Sequence, residues 1–218
     1  MIDLDLLPVF LLAVSILALT PGPDMALLIA RGIGQGRKIA AFTALGFTLA
    51  GLIQIPFLAF GAEALFRAFP QLYDIVRLAG AAYLIWRGAR LCYSAKKRRG
   101  LGYIVTATTT ASMALWEGVI SSLLNPKGFI FMVAFLPQFV NPALGNIAIQ
   151  VVTLGIVLKV TALAIELSIA LAAGGIGSWI SRNPWTISWQ ERLTGVFMVM
   201  LGLRLLFSGG DMRAIVRP

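Results

Sequence analysis

The sequence predicts an all-α integral membrane protein of about six transmembrane helices, arranged as two inverted three-helix repeats in which helices one and four are broken. Three observations predict it. Of 218 residues, 59% are hydrophobic and 12% are charged, against about 25% charged in ordinary soluble domains. The apolar residues fall in runs near the ~20 residues a helix needs to cross the roughly 30 Å hydrocarbon layer. Two of these runs, in corresponding places of the two halves, are interrupted by proline and glycine. Paired interruptions of that kind point to an inverted-repeat transporter with its site near the midplane.

The expected spans cover about 6–30, 39–62, 69–91, 114–136, 147–173 and, with a weaker apolar signal, 193–207. The first follows Asp3 and Asp5 with no basic residue before it, so it reads as a retained span and not as a cleaved signal peptide. Asp74 and Arg77 place the outer end of span three near the headgroups or in a pair. Residues 1–218 form one domain, with halves of about 1–95 and 111–208 joined by a basic cytoplasmic loop of about 94–113. Gly32, Gly34 and Gly36 make a G-x-G-x-G run, but it follows a membrane helix and not a strand, so it reads as a flexible turn and not a dinucleotide site.

Cytoplasmic connections retain Lys and Arg. Loops one-two, three-four and five-six carry Arg31, Arg37, Lys38, Arg87, Arg90, Lys96, Lys97, Arg98, Arg99, Arg182 and Arg192. The other side has Arg67, Arg77, Arg204, Arg213 and Arg217, so both termini are expected outside. Trp179, Trp185 and Trp189 around the five-six loop suit a headgroup belt. A multi-pass protein of this kind has membrane lipid as its first partner, and homo-oligomerisation is left open.

The formal charge of +9 does not indicate nucleic acid, because the basic residues sit in short loops between apolar runs and not along one soluble face. Cys92 is the one cysteine and there is no histidine. A Ser-His-Asp triad, an H-E-x-x-H zinc site and a histidine proton relay are therefore excluded within this chain. Ser121 and Ser122 lack a base to activate them, so they are expected in helix packing or interhelical hydrogen bonds, and neither an enzyme nor a cofactor is expected.

The candidate site lies at the two interruptions. Pro21, Gly22 and Pro23 should break span one, since proline lacks the amide hydrogen a helix needs. Asn125 and Pro126 do the same in span four. Backbone groups freed at such breaks are tolerated only where protein or a wet cavity satisfies them. The restarted half-helices present positive ends to the membrane interior. With the Lys127 ammonium they would receive a substrate carboxylate, while Asp24 would bind the substrate ammonium or carry a coupling proton. The structural alternatives are that Asp24 caps the new half-helix and that Lys127 pairs with it. Lys159 and Glu166 lie two turns apart on one face of span five, too far for an i,i+4 pair, so each should face another helix, water or substrate. Gln54 and Gln150 are weaker candidates, and Glu63 and Glu117 near span ends are expected to snorkel.

Four motifs in order give the sequence a family likeness: Thr20-Pro21-Gly22-Pro23, Gly80-Ala81-Ala82-Tyr83-Leu84, Asn125-Pro126-Lys127-Gly128 and Leu136-Pro137-Gln138-Phe139. Over nearly its whole length the chain resembles the LysE/RhtB amino-acid exporters. The resemblance implies a six-span secondary transporter of a bacterial inner membrane that exports amino acids or derivatives by drawing on protons. Pro21, Gly22, Pro23, Asn125, Pro126 and Lys127 match the family's motif positions, Asp24 falls where members vary, and Ala40 and Ala41 stand where members often carry glycine. A divalent or heavy-metal exporter of related architecture is the competing reading. It is disfavoured because the presumed core offers Asp24 and Glu166 without thiolate pairs or imidazole. With so few acids inside, a neutral amino acid is expected over lysine or arginine.

Overall fold

The computed structural model describes residues 2–20, 22–62, 70–94, 109–182 and 184–207. Among these there are eight α-helices and no strand: α1 (Leu7–Leu19), α2 (Pro23–Gln35), α3 (Arg37–Pro56), α4 (Pro70–Ser94), α5 (Ala111–Leu123), α6 (Pro126–Phe135), α7 (Ile147–Arg182) and α8 (Pro184–Phe207). Pro56 ends regular α3, and a π-helical turn, Phe57–Ala62, follows it, as expected where a proline removes an amide donor. Two 3-10 turns, Leu136–Phe139 and Pro142–Leu144, follow α6. Pro21, Glu63, Arg67, Lys96 to Arg99, Arg213 and Arg217 lie outside the described residues, as do the side chains of Asp74, Arg77, Trp179 and Trp185.

By length and composition, two stretches among the described residues can cross a membrane, Arg37–Phe60 and Ile147–Ala172. The number rises to four if each bent pair counts as one span: α1 with α2, bent by 59°, and α5 with α6, bent by 54°. α4 and α8 are 25 and 24 residues long, about 36 Å at 1.5 Å per residue. α8 begins nine residues before the expected start of span six, because Gln190, Glu191 and Arg192 lower the apolar signal without breaking the helix. α7 likewise runs past residue 173 through Gly174 and Gly175. Gly32 and Gly34 are helical within α2, so the expected flexible turn shrinks to Gly36, whose φ of 89° suits a residue without a Cβ.

Membrane helices pack by close approach, since lipid offers little hydrophobic drive between them. α3 crosses α5 where Gly46 meets Gly118: a Cβ on Gly46 would strike the Leu115 carbonyl, and one on Gly118 the Thr43 carbonyl. α4 and α8 approach in the same way at Gly88 and Gly195. α7 runs through the middle and touches α1, α2 and α3. A chain of rings joins α1 to α6 and the turn after it: Phe10 to Phe139 at 5.0 Å, Phe139 to Phe135 at 4.9 Å and Phe135 to Phe131 at 4.4 Å between centroids. The cluster is buried and fixes the two broken helices against each other. Large apolar side chains such as Leu52, Ile53, Trp116 and Met200 cover the outside, where a soluble protein would carry charge.

Candidate functional site

Both breaks follow one local grammar: an extended residue, a proline at the first helical position, then a polar residue. α1 stops at Thr20, whose hydroxyl donates to the Ile16 carbonyl at 2.7 Å and whose backbone is extended. Gly22 precedes Pro23, and α2 starts with Asp24 in its first turn, where a carboxylate suits the positive helix end. In the other half Asn125 caps α6, its Oδ1 accepting from the Lys127 amide at 3.1 Å, and Pro126 is the first helical residue.

The two breaks lie side by side, and each satisfies the other. Ser121 Oγ and Asn125 Nδ2 donate to the two carboxylate oxygens of Asp24, both at 2.7 Å. Lys127 Nζ donates to the carbonyls of Thr20 at 3.1 Å and Leu17 at 3.3 Å, which closes the C-terminal end of α1. Gln54 from α3 reaches the Ser122 carbonyl at 3.5 Å beside the second break. Backbone groups freed by the prolines thus find partners inside the protein. Asp24 does sit in the first turn of its half-helix, but Lys127 does not pair with it: among the described residues no carboxylate comes within 4.0 Å of the ammonium. The carbonyl end of α1 attracts the cation instead.

Beside these groups is a cavity of about 60 Å³, several times the space one water requires. Asp24, Asn125, Lys127, Lys159 and Glu166 all line it. Lys159 and Glu166, expected to share a face of span five, do so on α7. The remaining wall is apolar and includes Leu17, Met25, Leu28, Phe47, Met132 and Leu158. Of the nine sequence-predicted site residues, the structure brings these five to the cavity and places Gly22, Pro23 and Pro126 at its two breaks. Pro21 lies outside the described residues. Gln150 is elsewhere: fully buried, it holds the 141–145 segment through the Asn141 amide and the Asn141 and Gly145 carbonyls.

Charges cost free energy at membrane depth and mark function by default. Two acids and two lysines here balance, so the lining carries no formal net charge. Among the described residues no group of three or more His, Cys, Asp or Glu could hold a metal ion.

A second polar cluster escaped the sequence reading. Arg31, counted there as a loop charge, is 6% exposed and donates to Gln35 at 2.8 Å and Thr109 at 2.6 Å. It also forms an ion pair with Glu117, which therefore does not snorkel. The cluster ties α2 to α5 at the end of α2 remote from the cavity. Arg31 and Glu117 are 86 positions apart, and no local pattern links them. Gly51 of α3 makes a further contact that carries no local sequence signal. A Cβ there would overlap the aliphatic stem of Lys159, a relation visible only once α3 and α7 are packed.

Two helical breaks side by side at a charged cavity in an apolar helical body are the arrangement expected of a membrane transporter. The chain belongs to the LysE type translocator family, whose model matches residues 15–209, and is a multi-pass membrane protein. It is similar to a leucine efflux protein of Klebsiella pneumoniae, with 26% identity over 90% of this chain and 92% of that protein. It is also similar to a homoserine/homoserine lactone efflux protein of Salmonella typhi, with 27% identity over 90% and 93%. A leucine efflux protein of Enterobacter sp. (strain 638) is 33% identical over 60% of this chain, a stretch that spans 61% of that relative. No solved structure matches the chain.

Proposed function

We propose that this protein exports a neutral amino acid, leucine or a similar aliphatic one, from a bacterial cytoplasm across the inner membrane, driven by protons. The observation that carries the reading is the cavity beside the two breaks, whose lining combines two acids and two lysines with apolar side chains. A zwitterion adds no net charge to a balanced site. A lysine or arginine substrate would bring a cation without a counter-charge. The names of the relatives, leucine and homoserine efflux proteins, support the same substrate class, and they lend nothing to a metal cargo.

The architecture that serves this function is six spans in two inverted repeats, about 1–95 and 111–208, within one domain. Its support is the order of elements: broken pair, long helix, long helix, and then the same again. The basic loops face the cytoplasm and both termini face outward. The site comprises Pro21, Gly22, Pro23, Asp24, Asn125, Pro126 and Lys127 at the breaks, with Lys159 and Glu166 opposite, and a carboxyl group among them carries the coupling proton.

The test is export from living cells. Wild type and Asp24→Asn are expressed in a host fed mixed dipeptides, and internal and external amino acids are followed by mass spectrometry with and without a protonophore. Faster release of neutral amino acids with wild type alone, abolished by the protonophore, is the expected result. No change in any strain, with membrane insertion confirmed, would overturn the substrate class.

A further inference from the structure

We infer that Lys159 and Glu166 of α7 are the pair that holds the substrate's carboxylate and ammonium, while Asp24, Ser121, Asn125 and Lys127 hold the two broken helices together, and that Gly51 is a positioning residue for Lys159. The inference rests on the export reading and deepens it by dividing one cavity into a scaffold and a clamp.

The division follows from hydrogen bonding. Both oxygens of Asp24 already accept short bonds, from Ser121 and Asn125. Lys127 already donates to two backbone carbonyls. Displacing either by a substrate would leave groups at both breaks without partners at membrane depth, where each unsatisfied group is costly. Glu166 is different: it lines the cavity and accepts no hydrogen bond from the described residues. Lys159 makes one long bond, 3.3 Å to the Phe47 carbonyl, and a substrate carboxylate is a stronger acceptor for the ammonium than that neutral carbonyl, since both partners are then ionised. The two residues are not paired with each other, since no ion pair within 4.0 Å joins them among the described residues.

The spacing suits an α-amino acid. Seven residues on a helix place the two Cα atoms on one face, about 10 Å apart. Two long side chains converging from those points can meet a single carbon that bears both charges. The substrate's side chain then falls against Met25, Leu28, Phe47 and Met132. Gly51 sets where the lysine lies: the Lys159 stem occupies the space that a Cβ at position 51 would fill. The Phe47 carbonyl that receives the ammonium is four residues earlier on the same helix, directly above that slot.

The experiment measures binding of radiolabelled leucine to the purified full-length protein in lipid nanodiscs. Two competitors are used: 4-methylpentanoate, which lacks the ammonium, and 3-methylbutylamine, which lacks the carboxylate. Lys159→Met and Glu166→Gln should each weaken leucine binding about 10- to 100-fold, the loss of one charged hydrogen bond. Lys159→Met should lose competition by the carboxylate analogue and keep competition by the amine, and Glu166→Gln should do the reverse. Gly51→Ala should act like a mild Lys159→Met, raising the Kd for leucine and the carboxylate analogue while the amine is unaffected. It retains every charge and its three nearest neighbours are all atoms of the Lys159 side chain, so it decides the matter if a charge variant fails to fold. A wild type that binds none of the neutral amino acids would overturn the export reading. A wild type that binds, with Lys159→Met and Glu166→Gln showing the same analogue pattern or Gly51→Ala showing no change, would overturn the clamp alone.

Discussion

Replacing Lys127 with methionine tests the scaffold directly. The substitution keeps an unbranched stem beside Gly22, where an added Cβ would meet the lysine, and deletes the two bonds to the Thr20 and Leu17 carbonyls at 3.1 and 3.3 Å. Hydrogen bonds to charged groups contribute about 1.5–3 kcal/mol each, and these lengths argue for the lower figure, about 3 kcal/mol together. Against that, methionine relieves the cost of burying an ammonium, and polar contacts in membrane proteins average nearer 0.6 kcal/mol. A net loss of about 2 kcal/mol remains, which is ~4–8 °C in melting midpoint for a chain of this size. Fluorescence-detected thermal unfolding in detergent reads it. A midpoint within ~1 °C of wild type would show that the lysine does not close α1, and the assignment of the break to a mutually satisfied scaffold would fail.

Three further predictions concern packing, the remote ion pair and topology. Gly118→Val drives a branched side chain into the Thr43 carbonyl at the α3–α5 crossing. It should cost about 3 kcal/mol or more and abolish monodisperse protein in fluorescence-detected size exclusion, whereas Ala82→Val on the exposed side of α4 should not. Glu117→Gln leaves Arg31 buried with only neutral partners. Because the Glu117 side chain is 41% exposed, screening holds the coupling in an Arg31→Gln, Glu117→Gln double-mutant cycle to about 1 kcal/mol, and a coupling of zero would remove the pair as a tie between α2 and α5. With Cys92 replaced by alanine, a single cysteine at position 3 should react with a membrane-impermeant maleimide in intact cells and one at position 97 only after lysis. The opposite pattern would invert the proposed topology.

The breaks were legible in the sequence because their cause is local. Proline's fixed φ suits the first position of a helix, and Asn125 before Pro126 is an N-cap by equally short-range chemistry. Charged residues inside apolar runs were equally legible, since membrane depth penalises any charge without a function or a partner, and Asp24, Lys127, Lys159 and Glu166 share one cavity as that rule suggests. The partner of each was not. Opposite signs at Asp24 and Lys127 suggested a pair, yet the carbonyl end of α1 takes the lysine and two neutral donors take the aspartate. The Arg31–Glu117 contact and the Gly51 slot depend on how helices far apart in sequence pack. The early start of α8 was hidden because hydropathy measures apolar content and not helicity, so a polar first turn disappears from it.

The most direct test of export is flux through the purified protein alone. Proteoliposomes loaded with labelled leucine are diluted into buffer that imposes an inward proton gradient, beside empty liposomes and a collapsed-gradient control. The expected result is leucine release that needs the protein, accelerates with the gradient and is inhibited by excess unlabelled leucine but not by lysine. Release equal to that from empty liposomes, with correctly folded protein verified by its melting transition, would contradict it.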